Sequence, residues 1–274
     1  MYGPRLPAAA VMPFDRPPKL ILLHGFMASP AAWDPVRSEL PRTVEAVPLT
    51  IPGFRGGEPP PLRYALEQLV ETMLPSIRAH QPDFLVGHSM GGLLALAIAA
   101  RLGASFRGVG AIGLPLFSSP EDGRRFLGQR GPMFRGLLAN DLLSHAGCAV
   151  AHSSRRAWLP FARWRWPAQP LGVLSQAFAH SKQAHRGALE DVLFGGHLPR
   201  LAPQIACPVS LLHGASDAAA PVGRACRMAR EHGWEFTELP GTHQLHVERP
   251  AVVAAWTMAS VVRRSGPVER KVPS

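Results

Sequence analysis

A Gly-x-Ser-x-Gly turn between an apolar strand and a helix is the feature that most constrains how this chain can fold. Residues Gly87-His88-Ser89-Met90-Gly91 follow the apolar run Phe84 to Val86 and open a helical pattern that reaches Leu102. The turn requires glycine on both sides of the serine, because larger side chains would collide with the neighbouring strand and helix. The pattern predicts a serine hydroxyl held out of the sheet at a helix amino terminus, so Ser89 is a candidate nucleophile.

Short apolar runs and helical patterns alternate along most of the chain. Besides the strand before Ser89, strands are predicted at Lys19 to Leu23, Val44 to Ile51, Arg107 to Leu114, Pro208 to His213 and Glu235 to Leu239. Helical spacing of apolar residues is found at Leu62 to Ala79, Met90 to Leu102, Val222 to His232 and Pro250 to Arg264. Strands separated by single helices indicate an α/β fold with a mostly parallel central sheet flanked by helices.

One long stretch, Pro115 to Pro203, breaks this alternation. It contains helix-like pieces at Gly131 to His145 and Leu171 to His185 but no convincing buried strand. We therefore expect a core domain formed by residues 1–114 and 204–274, and an inserted, mainly helical cap formed by residues 115–203. Because open α/β sheets bind ligands at the carboxyl ends of their strands, the cap is expected to lie over that edge.

The chain is strongly basic, which raises the question of a nucleic-acid partner. The formal net charge is +10, and only Lys19, Lys182 and Lys271 among the 29 basic residues are lysine. Residues 123–200 hold 11 basic and three acidic residues, so most of the excess charge lies in the insertion. No nucleic-acid recognition motif accompanies the charge, so a nucleic-acid partner is not expected.

Other features point to an intracellular protein without a metal or cofactor. No apolar run approaches the ~18 residues of a membrane span, and the first residues lack the order of a secretion signal. Cys148, Cys207 and Cys226 are odd in number and widely spaced, which favours neither a disulfide framework nor a zinc site. We expect a cytoplasmic protein with no membrane span, and the oligomeric state is left open.

The chemistry of a serine nucleophile requires a carboxylate and a base elsewhere in the chain, because the hydroxyl must lose its proton and the base must be oriented. Asp217 follows the predicted strand Pro208 to His213, so it would lie at that strand's carboxyl end. The competing acidic residues are few: Glu121, Asp122, Glu190 and Asp191. Asp217 is the preferred carboxylate.

Two histidines follow the last predicted strand, and both are candidates for the base. His243 comes directly after the turn Pro240-Gly241, nearer the strand end, where a loop can bring it over Ser89. His246 fits better as the start or cap of the next helix. His243 is therefore preferred.

Attack on a carbonyl also requires two N–H donors for the oxyanion. One is the amide of Met90, which follows the nucleophile at a helix start. The second should come from His24-Gly25-Phe26-Met27, after the first strand. The amide of Phe26 is the preferred donor, with Met27 as the alternative.

Together these residues resemble the α/β-hydrolase superfamily, in particular its small capped serine hydrolases. The matching pieces are Leu22 to Phe26, Ile51 to Phe54, Gly87 to Gly92, Gly214 to Pro221, and Gly241 to His243 through Glu248 to Pro250. The resemblance implies that Ser89, Asp217 and His243 form a catalytic triad and that Phe26 and Met90 supply the oxyanion hole. It also implies a cap inserted after the sixth strand of the family sheet. Two departures are a short segment before the first strand, which leaves little room for the family's first hairpin, and the plain run Ala218 to Ala220.

The cap gives the only indication of the substrate. Its segments Arg155 to Trp158 and Arg163 to Trp166 interleave arginine with tryptophan. Such a surface could bind an anionic acyl group or an acidic carrier, or it could be an amphipathic lid helix with tryptophan facing inward. The candidate substrate-binding residues are His24, Met27, His88, Trp158, Trp164 and Trp166.

Three functions remain open, because one fold hosts many reactions. The first is a serine hydrolase that cleaves a small-molecule carboxylic ester or thioester, anionic or carrier-bound, through an acyl-enzyme. The second is an acyltransferase, a thioesterase or another biosynthetic enzyme on the same scaffold, including a non-hydrolytic one. The third is a non-catalytic binding protein.

Overall fold

Six parallel strands form one central sheet in the described part of the chain. The computed structural model describes residues 16–54, 58–131, 142–143, 146, 159–160, 162–164, 167, 171–176 and 180–262. The strands are β1 (Lys19–Leu23), β2 (Glu45–Leu49), β3 (Phe84–His88), β4 (Gly108–Ile112), β5 (Val209–Gly214) and β6 (Glu235–Leu239). Their order is β2-β1-β3-β4-β5-β6, and each neighbouring pair is parallel. The predicted α/β fold with a mostly parallel sheet is confirmed.

Helices connect the strands and cover both faces of the sheet. The α-helices are α1 (Asp34–Glu39), α2 (Leu66–His80), α3 (Met90–Leu102), α4 (Pro120–Gly128), α5 (Leu171–Gln176), α6 (Lys182–Gly187), α7 (Leu198–Leu201), α8 (Val222–His232), α9 (Leu245–Glu248) and α10 (Pro250–Trp256). Wider π-helical turns follow α6 at Ala188–Leu193 and α10 at Thr257–Val262. The expectation about the family's first hairpin falls on residues 1–15, which lie outside the described residues.

Alternate residues of the strands enter two apolar cores, one on each face. In β1, Ile21 and Leu23 pack with α2 and α3, whereas Leu20 and Leu22 pack on the opposite face with Trp33. Strands buried on both faces read as continuous apolar runs, which is why β1 and β3 were recognisable in the sequence.

The strand order places a crevice between β1 and β3. The chain adds β2 on one side of β1 and then continues on the other side with β3, so the connections diverge at this point. Leu23 of β1 lies beside Gly87 of β3 at the carboxyl edge. Because ligands bind where the strand order reverses, the loops after β1 and β3 are the expected walls of a site.

The described residues between β4 and β5 add no strand to the sheet, and both ends of this insertion pack against the core. Phe117 near its start contacts Phe194 near its end, with ring centroids 5.5 Å apart. Phe54, after β2, forms an antiparallel bridge with His180, and the amide of Ser181 donates to the carbonyl of Gly53 at 2.8 Å. The helical pattern predicted over Leu171 to His185 is therefore wrong around His180, because that backbone pairs with the core.

Candidate active site

Ser89 occupies a strained turn between β3 and α3. Its backbone has φ 52° and ψ −116°, and its side chain is almost wholly enclosed. A Cβ atom on Gly87 would lie 2.0 Å from the Gly91 carbonyl oxygen, and one on Gly91 would lie 2.3 Å from that of Leu23. Both glycines are therefore required by close backbone approach, and strain of this kind is typical of functional sites.

Asp217 and His243 form a hydrogen-bonded pair on neighbouring loops at the same edge of the sheet. The Nδ1–H group of His243 donates to Oδ2 of Asp217 at 2.8 Å. The other carboxylate oxygen accepts the amide N–H groups of Ala219 and Ala220, each at 2.8 Å. The plain alanine run thus contributes main-chain donors, for which no particular side chain is needed.

The surroundings of Asp217 favour its ionised form. Burial alone would raise its pKa, but the adjacent His243 and the amides of Ala219 and Ala220 outweigh burial and lower the pKa below its usual value. A carboxylate in this position keeps the proton of His243 on Nδ1, which leaves Nε2 as the basic atom.

The loop of His243 is joined directly to the turn of Ser89. His88, the residue before the serine, donates its Nε2–H to the carbonyl oxygen of His243 at 2.8 Å. The two imidazole centroids lie 4.7 Å apart. The turn of Ser89, the loop of Asp217 and the loop of His243 therefore meet at the carboxyl edge of β3, β5 and β6.

The loop after β1 is the candidate second half of an oxyanion hole. Within the described residues, no backbone hydrogen bond uses the N–H of Phe26 or Met90. Met27 has φ 54°, a conformation that costs a non-glycine residue energy. Among the described residues only Met27, Gln81 and Ser89 have positive φ without being glycine, so two of the three strained residues flank this crevice.

His24 fixes the start of this loop rather than facing open space. Its Nδ1–H donates to the carbonyl of Gly25 at 2.9 Å, and its Nε2 accepts the amide N–H of Ile51 at 3.2 Å. Burial lowers the pKa of His24 to about 4, so the ring is neutral as this pattern of donor and acceptor requires. The structure gives both ring nitrogens main-chain partners.

The remaining residues singled out in the sequence are His246, three tryptophans of the insertion and the competing acidic residues. His246 is buried in α9 with its ring 5.3 Å from that of Trp33, in keeping with the expected helical position. Trp164 is described and 76% exposed, whereas Trp158 and Trp166 lie outside the described residues. The competing acids lie in the insertion, where Asp122 bonds to Arg224 and Asp191 accepts the amide of Leu66.

Sequence reasoning missed His213, which lies next to Asp217. Its Nδ1 is 3.9 Å from Oδ2 of Asp217, and its Nε2 accepts the amide N–H of Leu114 at 3.2 Å. Burial lowers the pKa of His213 to about 4, against the opposing influence of Asp217, so the ring is neutral. A signal was present, because Leu-Leu-His-Gly occurs where β1 ends and again where β5 ends, and each histidine accepts an amide from a neighbouring loop.

A second missed group is a histidine pair in the insertion. His180 and His185 share a hydrogen bond between Nε2 and Nδ1 at 2.9 Å, and both are buried. The ring of Phe26 lies 5.2 Å from that of His185 and 5.9 Å from that of His180. The insertion thus contacts the candidate oxyanion loop directly.

Two other features, a metal centre and a membrane-spanning helix, are absent from the described residues. They contain no group of three or more histidine, cysteine, aspartate or glutamate side chains arranged to hold a metal ion. None of the helices within them combines the length and the apolar character needed to cross a bilayer.

Comparison with known proteins gives consistent matches along most of the chain. A sequence model of the alpha/beta hydrolase family matches residues 20–256. A pimeloyl-[acyl-carrier protein] methyl ester esterase from Aromatoleum aromaticum is 27% identical over 234 residues, which are 81% of this chain and 86% of that protein. The solved enol-lactonase from Burkholderia xenovorans LB400 has a TM-score of 0.64 at 21% identity, over 86% and 88% of the two chains. For a thioesterase domain from the curacin biosynthetic pathway the TM-score is 0.62 at 17% identity, over 89% and 91%. Since the family match covers most of its length, the chain belongs to the alpha/beta hydrolase family.

Proposed function

We propose that this protein is a serine hydrolase that cleaves a carboxylic ester or thioester through an acyl-enzyme. Ser89 is the nucleophile, His243 is the general base and Asp217 orients it. The observation that carries the proposal is the 2.8 Å bond between Asp217 and His243, on loops that meet the strained turn of Ser89. An aspartate and a histidine that were only structural would not need to lie beside the turn of Ser89.

The first half of the reaction forms the acyl-enzyme. Oγ of Ser89 attacks the carbonyl carbon while its proton passes to Nε2 of His243, and the carbonyl oxygen becomes an oxyanion. The amides of Phe26 and Met90 would bind that oxyanion, because neither N–H group is used by another main-chain hydrogen bond within the described residues. When the tetrahedral intermediate collapses, the alcohol or thiol leaves with the proton from His243.

The second half releases the acid. Water attacks the acyl-enzyme carbonyl and gives its proton to His243, and the new tetrahedral intermediate collapses to expel Ser89. The serine recovers its proton from the imidazolium, so His243 ends each cycle neutral. Throughout, the ionised Asp217 stabilises the positive form of His243.

We propose further that residues 115–203 form a cap over this site and that the substrate is an anionic or carrier-bound acyl group. Two observations support this: the excess of positive charge in residues 123–200, and the contact of His185 with Phe26. The 27% identical relative is named as an esterase of an acyl-carrier-bound methyl ester. An acidic carrier would be attracted by the charge of this segment.

Replacement of Ser89 tests the proposal. Ser89→Ala should abolish both the burst of p-nitrophenol from an activated ester and covalent labelling by a fluorophosphonate probe, because no acyl-enzyme can form. Ser105→Ala is the matched control: that serine lies beyond the other end of α3, roughly 20 Å away at 1.5 Å per residue. Turnover that survives in folded Ser89→Ala would disprove the mechanism.

A further inference from the structure

His88 directly precedes Ser89 and contacts both the loop of His243 and the loop after β1. Its Nε2–H donates to the His243 carbonyl at 2.8 Å, and its backbone continues directly into Ser89. Its Nδ1 packs on the oxyanion loop so tightly that a Cβ on Gly25 would lie 2.7 Å away. The ring is buried, with 3% of the residue exposed, so it does not face substrate.

The hydrogen bond to His243 fixes the state of the His88 ring. A carbonyl oxygen only accepts, so Nε2 must carry the proton, and a neutral ring then has a bare Nδ1. That atom is buried and has no hydrogen-bond partner among the described residues. Burial, followed by the neighbouring His246, His243 and His24, lowers the pKa of His88 well below its usual value. The ring therefore stays neutral.

A tilted ring contact with His246 also holds the ring of His88. The centroids of His88 and His246 lie 4.1 Å apart, and His246 is backed by Trp33. Burial lowers the pKa of His246 to about 3, with a smaller contribution from His243. Both rings beside His243 are thus uncharged, so neither repels the imidazolium that forms during catalysis.

We propose that His88 is a positioning residue that sets the base loop, through its hydrogen bond to His243, relative to Ser89 and the oxyanion loop. The inference rests on the proposed function. A ring that only filled space would serve equally well without an N–H group, whereas a positioning ring needs a donor at Nε2. A displacement of about 1 Å between reacting groups can cost on the order of 10²-fold in rate.

Two substitutions at His88 separate these roles. His88→Met fills the volume without a donor, and His88→Gln keeps an N–H group that can reach the His243 carbonyl. We expect kcat on an activated ester to fall by about 10²-fold in His88→Met with KM within about twofold, and to recover at least about tenfold in His88→Gln. His80→Met is the matched control, because His80 makes a similar bond to the Ser76 carbonyl at 2.8 Å at the end of α2.

The result that overturns the proposal is a folded His88→Met with wild-type kcat, or a His88→Gln no faster than His88→Met. If His88→Met does not fold, ring ¹⁵N spectra of the wild type decide: a neutral Nε2–H tautomer from pH 5 to 8 is expected, and a titrating or Nδ1–H ring refutes the assignment. Turnover in Ser89→Ala would instead refute the proposed function, so the two failures are distinguishable.

Discussion

Gly113, which follows β4, illustrates how closely a residue outside the proposed triad is tied to it. Its φ is 59°, and a Cβ there would lie 2.9 Å from Nδ1 of His243 and 3.4 Å from Oδ2 of Asp217. Gly103, at the end of α3, has nearly the same φ, 61°, but a Cβ there would meet nothing within 4 Å. The two glycines share a positive φ and differ in what a side chain would touch.

Alanine at these two positions should therefore separate backbone strain from damage to the site. Both substitutions should cost about 1 kcal/mol in unfolding free energy, because a non-glycine residue is strained at this φ. Only Gly113→Ala should also reduce kcat, by roughly tenfold or more, because its methyl group displaces His243. Denaturant melts and ester kinetics on both variants measure this, and equal kcat values would contradict it.

At the residue scale, the sequence predicted positions that sit in a motif and missed those defined by contact. Ser89, Asp217 and His243 each follow a recognisable strand in an expected order, so spacing was enough to propose them as a set. His213 was missed although it lies only four residues before Asp217, because what distinguishes it is its bond from the amide of Leu114, which is distant in sequence. His88 was predicted to touch substrate, and only its bond to His243 indicates a different role.

At the scale of elements, an ion pair attaches the start of the insertion to the core. Arg224 of α8 binds Asp122 of α4 through both carboxylate oxygens and also donates to the Leu116 carbonyl at 3.1 Å. The bond from Arg224 lowers the pKa of Asp122 far below its usual value. Both side chains are partly exposed, so screening by solvent limits the contribution.

Removal of this pair should have a pH-dependent effect on stability. Asp122→Asn is expected to lower the unfolding free energy by about 1 kcal/mol at pH 7, which is roughly 2 to 4 °C in melting temperature. The folded-state pKa is depressed, so the wild type has this stability above the unfolded pKa of about 4 and loses it as pH falls further. The difference between wild type and variant should therefore shrink below about pH 4.

Melting curves at several pH values measure the effect, and Glu71→Gln is the control. Glu71 pairs with Arg101 at 2.9 Å, but both side chains are more than half exposed, so little change is expected. A difference between wild type and Asp122→Asn that grew as the pH fell from 7 to 3 would contradict the assignment.

Element boundaries were predictable where the apolar pattern was unbroken. Met90–Leu102, Val222–His232 and Glu235–Leu239 were predicted to the residue. The strand predicted at Val44 to Ile51 is shorter, Glu45–Leu49, because the pattern alone does not indicate where pairing with β1 ends. The break around His180 was missed because it arises from pairing with Phe54, which is distant in sequence.

At the scale of the whole molecule, the net charge of +10 should affect an anionic substrate more than a neutral one. We expect KM for a coenzyme A thioester to rise several-fold between about 0.1 and 1 M NaCl, since the Debye length falls from about 10 to 3 Å. KM for an uncharged short-chain ester should stay nearly constant. Parallel salt series with both substrates test this, and identical responses would argue against an anionic or carrier-bound substrate.

The overall architecture followed from the sequence because alternating buried strands and helices leave few arrangements. The substrate could not be predicted in the same way, since it depends on the tertiary surroundings of the arginine- and tryptophan-rich segments, and most of their residues lie outside the described ranges. The expectations for Trp158 and Trp166 therefore stay predictions.

The two attachments of the insertion have a consequence for how such enzymes diversify. Its first helix, α4, is held by the ion pair with Arg224. The part of the chain that leads back to the core is held by the bridge between Phe54 and His180 and by the hydrogen bond from Ser181 to Gly53. The residues that form both attachments lie outside residues 132–179. A chimaera that exchanges only that interval with a relative would retain both attachments, so the segment that we propose to select the substrate could be replaced while the loops of Ser89, Asp217 and His243 keep their contacts.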